Sequence, residues 1–136
     1  MADLFQATTI PVLEQVIQFT QARHTVLAGN IANIDTPGYV AKDLSVDDFQ
    51  ARLRDAIAEQ KSPASPYSTG ESGDQRQNAI GTAAESAKGI LMHDASNVGA
   101  EYQVSEMVKN HLQHNTAISI IASQFRLLAA AISGNV

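Results

Sequence analysis

The chain has no cysteine and no tryptophan, and its aromatic residues are three Tyr and four Phe in 136 positions. Without cysteine there is neither a disulfide framework nor thiol chemistry, although this leaves the compartment open. With so few aromatics, the 44% hydrophobic content is carried mostly by Ala, Ile, Leu and Val, which suits helix seams better than a sandwich or barrel core. Positive charge is also scarce. Nine Lys and Arg against fourteen Asp and Glu leave a net charge of −5, and no basic run stands out, which argues against a general nucleic-acid binder. No continuous apolar run approaches the roughly 20 residues that cross a bilayer. The first ten residues lack a basic n-region and a continuous apolar h-region, so a Sec-type signal peptide is not expected. The length predicts one domain at most.

What is present is concentrated in residues 30–39, Asn-Ile-Ala-Asn-Ile-Asp-Thr-Pro-Gly-Tyr. Asn30 and Asn33 are three apart, so they share a face of any helix running through them, with Ala32 beside them. Thr36 is pushed out of the α region by Pro37, which fixes its own φ and donates no N–H. Pro37-Gly38 fits the centre of a type II turn, where glycine accepts a positive φ. Tyr39 then returns to the protein with a polar tip. The stretch predicts a helix stop followed by a turn in one defined direction. Asp-Thr-Pro-Gly also resembles the magnesium loop of translation-type GTPases. That loop needs a buried strand before the Asp and a phosphate-binding Gly-x-x-x-x-Gly-Lys-[Ser/Thr] upstream, and the chain has neither.

Two long helices are predicted on either side of a different middle. From about residue 4 to 34, Ile10, Leu13, Ile17, Thr20, His24, Leu27, Ile31 and Ile34 alternate spacings of three and four, a heptad seam. Val12, Val16, Phe19 and Val26 form a second apolar line, so the apolar face is wider than one partner helix covers. Pro11 is tolerated if the helix begins near it. From about residue 98 to 132, Val104, Val108, His111, Asn115, Ile118, Ala122, Phe125, Ala129 and Ile132 make a matching seam, with Asn97 as N-cap and Gly134-Asn135 as stop. The two seams most simply pair with each other, and the apolar surface left over is a signature of assembly. In the middle, Ser45-x-x-Asp48 resembles a capping box, and Val46, Phe49, Leu53 and Ile57 define a short amphipathic helix. Residues 59–82 are rich in Ser, Pro, Gly and Gln and predict a flexible linker. The run at 89–93 (GILMH) is readable as strand or turn.

The expected fold is therefore mainly α. Long terminal helices pair as a coiled coil or helical bundle, and the middle is partly disordered or irregular. Its divisions are an N-terminal helix and turn (1–39), a variable middle (40–97) and a C-terminal helix (98–136), the first and last forming one core domain.

The chemistry-bearing residues do not converge. His111 and His114 are three apart, a spacing that holds a metal only with a third ligand, and none follows at metal-site spacing. They read instead as seam packing, as does His24 beside Thr20, a polar pair that fixes helix register. Asp43, Asp47 and Asp48 surround the start of the short helix, where negative charge suits the dipole. No enzyme, cofactor or metal is expected.

Taken whole, residues 23–43 (RHTVLAGNIANIDTPGYVAKD) resemble the N-terminal signature of bacterial flagellar rod and hook proteins, and within them the type B proximal rod proteins. Residues 94–107 (DASNVGAEYQVSEM), with Asn97 and Val98, resemble the entry to that family's C-terminal helix. Ala95, Gly99, Gln103-Val104 and His114-Asn115 depart from its usual pattern. The resemblance implies a structural subunit of the flagellar basal-body rod. It implies self-assembly, with other proximal rod proteins, export-gate and membrane-ring components as partners. It also implies export through the flagellar type III apparatus, and no nucleic acid or small-molecule substrate. Asn30, Ala32, Asn33, Thr36, Pro37, Gly38, Tyr39, Asn97 and Val98 would carry the motif. Leu13, Ile17, Leu27, Ile31, Val108, Ile118, Phe125 and Ile132 would carry the seams. Another rod protein of the same axial family is the near alternative, and a cytosolic helical adaptor or export chaperone with the same hairpin is the rival from another class.

Overall fold

The computed structural model describes residues 9–61 and 99–134. They form three helices, α1 (Ile10–Ala32), α2 (Val46–Lys61) and α3 (Ala100–Ser133), with no strand among the described residues. The linker after Lys61, the 89–93 run, Asn97 and Val98 lie outside them.

Each helix end has a local cause. α1 opens with Pro11 in its first turn, where the missing N–H has no helical partner to lose. It closes at Asn33, whose backbone N–H and side-chain Nδ2 both donate to the Gly29 carbonyl, at 3.1 and 2.8 Å. The chain then turns. Thr36 N–H donates to the Asn33 carbonyl at 2.9 Å and Tyr39 N–H to the Thr36 carbonyl at 3.1 Å, with Gly38 at φ +77°. The last bond and the positive φ are those of a type II turn centred on Pro37-Gly38. α2 begins under Ser45, whose Oγ accepts from Asp48 N–H at 3.2 Å. It continues through Lys61, three residues into the stretch that composition assigns to a linker. α3 starts after Gly99, without a side-chain cap, and stops at Gly134 in the left-handed conformation.

α1 and α3 lie antiparallel, since Thr9 meets Gln124 at one end and Asn30 meets Gln103 at the other. α2 and the segment before it cover a different side of α1. There Phe19 and Phe49 stack with ring centroids 4.0 Å apart and planes 4° from parallel, beside Leu44. Val16, Ala22, Val26, Val46 and Leu53 surround them. The second apolar line of α1 thus finds its partner within the chain.

One expectation about apolar runs is corrected. An 18-residue stretch of α3 reaches a mean hydropathy of 1.5, enough by length and composition to cross a membrane. Continuous runs miss it because Ser119, Ser123, Gln124 and Arg126 interrupt the Ala, Ile and Leu residues. Only 6% of that stretch is buried within the molecule.

Candidate functional site

The face of α1 toward α3 is crossed by polar side chains, and the extended segment after the turn is tied in with them. Asn30 is the most complete of these contacts. Its Nδ2 donates to the Lys42 carbonyl at 2.5 Å and to Gln103 Oε1 at 3.1 Å. Its Oδ1 accepts from Lys42 N–H at 3.0 Å and from the Tyr39 hydroxyl at 3.1 Å. Two donors and two lone pairs are the full capacity of a carboxamide, and all four are used in a side chain 1% exposed. Asn30 therefore replaces a neighbouring backbone strand for Lys42 while also holding α3. Asn33, on the same spacing, works only within its own helix end.

Two turns earlier, Arg23 holds Asp43 through a bidentate pair, Nε to Oδ1 at 2.8 Å and a terminal nitrogen to Oδ2 at 2.7 Å. The same terminal nitrogen reaches Glu106 Oε2 on α3 at 2.8 Å, and Lys109 donates to Glu106 Oε1 at 2.7 Å. The Asp43 hydrogen bond, with that of Glu106, raises the Arg23 pKa against the opposing effect of burial. Lys109 and then Arg23 hold the Glu106 carboxyl below its usual range, and Glu106 in turn raises Lys109. Asp43 therefore belongs to an ion-pair network rather than to the dipole of α2, because Arg23 faces it across the turn.

A third contact centres on Thr20, fully buried. Its hydroxyl bonds the Val16 and Ile17 carbonyls at 2.8 and 3.0 Å and His114 Nδ1 at 2.8 Å. Asn110 Nδ2 donates to the Thr20 carbonyl at 2.7 Å. The expected partner, His24, is exposed, as is His111. His114 takes the seam position because the buried line of α3 lies elsewhere than the apolar pattern suggests. Near the start of α1, Gln124 Nε2 donates to Thr9 Oγ1.

That displaced line is the main departure from the sequence reading. The buried residues of α3 are Gln103, Asn110 and Ala117. The heptad Val104, Val108, Ile118, Phe125 and Ile132 points outward, from 44% exposed at Ile118 to 82% at Ile132. Tyr102, Leu112, Ile120 and Leu127 extend that apolar surface. On α1, Leu27 is buried and Leu13, Ile17 and Ile31 are half-buried. Ala32 and the turn residues Thr36, Pro37, Gly38 and Tyr39 are exposed. Hydrophobic periodicity finds the most apolar face of a helix, but a partner within the chain can occupy a different one. Gln103, Glu106, Asn110, Gln113, Ala117, Ile121 and Gln124 also follow spacings of three and four, and this was the available signal. Arg23, Gln103, Glu106 and Asn110 were missed because polar residues at heptad spacing read as a solvated face. Among the described residues no three His, Cys, Asp or Glu side chains group to hold a metal.

No family model matches the chain, and no solved structure matches it. Among curated proteins it is 29% identical over 134 residues to the flagellar basal body rod protein FlgB of Aquifex aeolicus (strain VF5), covering 97% of each chain. It is 25% identical over 126 residues to the flagellar basal body rod protein FlgB of Bacillus subtilis (strain 168), covering 93% of this chain and 94% of that one. Both similarities run nearly end to end. What the chain is similar to, over nearly its whole length, is flagellar basal-body rod proteins. Within this chain the turn motif has a definite structural task, since Asn30 and Tyr39 bind each other and Gly38 supplies the positive φ between them. Gln103 and His114, two of its departures from the family pattern, are both seam residues bonded to α1.

Proposed function

We propose that the protein is a structural subunit of the proximal flagellar rod, transmitting torque from motor to hook and filament by packing rather than catalysis. The observation that carries this reading is the inversion on α3, with amides toward its own chain and the apolar heptad outward. A continuous apolar line on a 34-residue helix is expensive to leave in water and fits a neighbouring helix in an assembly. The end-to-end similarity to two rod proteins supports the same role. In the rod, residues 1–39 and 98–136 act as one core domain and the outward seam packs as a coiled coil. The neighbours are further copies, other proximal rod proteins, and export-gate and membrane-ring components. The chain reaches them through the flagellar type III apparatus without a cleaved signal, and needs no cofactor, nucleic acid or small-molecule substrate. Heterologous contacts that do not close are what extend such a shaft.

The test is to place a photo-cross-linker at Val108 or Leu112 and purify basal bodies. Cross-links from the outward face to rod neighbours are expected. Absence of the protein from basal bodies, with cross-links only to cytosolic proteins, would establish the adaptor reading instead.

A further inference from the structure

The two contacts made by α1 differ in chemistry. Against α2 the contact is apolar, with Phe19 on Phe49 and aliphatic residues around them. Against α3, the more extensive of the two contacts, it includes a series of hydrogen bonds, and the buried residues of α3 are two amides and an alanine. Gln15 Oε1, Asn110 Oδ1 and Gln124 Oε1 are buried without a hydrogen-bond partner among the described residues. All three belong to α1 or α3. Neutral hydrogen bonds gain little over those made with water, and charge-assisted ones are roughly twice as strong. Among the described residues, the ion pair that crosses from α1 to α3 is Arg23–Glu106.

Breaking a buried ion pair is ordinarily costly because one charge is left alone. Here neither is. When α3 leaves, Arg23 keeps its bidentate bond to Asp43, which travels with the segment that feeds Leu44 into the α1–α2 core. Glu106 keeps Lys109, three residues along its own helix.

We propose that Arg23 and Glu106 form a releasable charge clasp: closed, it holds α3 on α1, and with Glu106 uncharged α3 comes away while the α1–turn–α2 unit stays folded. The charged groups facing the clasp are Arg23 from α1, Asp43 from the extended segment and Lys109 from α3, with Tyr102 near Lys109. The Glu106 carboxyl is held below its ordinary 4.5. Its stabilising contribution is therefore complete above the ordinary carboxylate range and lost as pH falls through the lower folded value. Because Asp43 is also a carboxylate, acid alone does not single out Glu106, whereas Glu106→Gln at neutral pH does.

The chain has no native cysteine, so spin labels can be placed without background. Gln18→Cys with Ser119→Cys reports the α1–α3 distance in the full-length protein, and Gln21→Cys with Gln50→Cys reports α1–α2; all four positions are exposed. At pH 7, Glu106→Gln is expected to raise the long-distance α1–α3 population about tenfold or more, with the α1–α2 distribution unchanged. Lowering the pH of the parent below 4.5 should reproduce the α1–α3 change before α1–α2 separates. An unchanged α1–α3 distance in Glu106→Gln overturns the clasp. So does loss of both distances together in Glu106→Gln.

Discussion

At the residue scale, Asn30 carries more structure than any other side chain in the motif. Replacing it with Ala leaves the Lys42 N–H and carbonyl, the Tyr39 hydroxyl and Gln103 Oε1 without their partner. With net contributions of about 0.5–1.5 kcal/mol per bond, Asn30→Ala is expected to destabilise the fold by about 2–4 kcal/mol. Urea unfolding checks this, and a loss below about 0.5 kcal/mol would mean that the four bonds are readily replaced by water. The sequence singles out Asn30 and Asn33 by their shared face at a helix stop, but that placement fits simple capping of the helix end as well as contacts to backbone or neighbouring subunits. The partners of Asn30 were not legible, because Lys42 is engaged through its backbone, which carries no sequence signature. Arg23 was hidden for a different reason: its two carboxylate partners lie 20 and 83 residues away, and no local spacing links them.

At the element scale, the helices were legible from periodicity and their ends from Pro11, Ser45, Pro37-Gly38 and Gly134. What periodicity could not assign was which face meets which partner. α2 is the clearest case, since Phe19 reads as flanking a seam and only its stack on Phe49 shows where the short helix docks. Phe→Ala in a core typically costs about 3–5 kcal/mol. Phe49→Ala is therefore expected to detach α2, with its amides losing hydrogen-exchange protection while those of α3 from Gln103 to Ala117 keep theirs. Equal loss in both helices would show that α2 and α3 do not depend on α1 separately.

At the scale of the whole molecule, the polar interior seam and the apolar exterior separate folding from assembly. Val108 is 62% and Leu112 68% exposed, so Val108→Glu with Leu112→Glu should change the stability of the isolated chain by less than about 0.5 kcal/mol. The same pair should abolish incorporation into basal bodies and motility. A large fall in melting temperature of the isolated chain would instead place those residues in its core.

Asn30 also has a mechanical consequence. Its amide grips both polar atoms of a single peptide residue, Lys42, while its remaining donor and lone pair hold Gln103 and Tyr39. Residues of an extended segment are spaced by about 3.3 Å, so a shift by part of that spacing breaks the four bonds together. Sliding of the extended segment along α1 is therefore all or none. Under sustained torsional load such a joint does not creep; it stays in register until every bond is lost together.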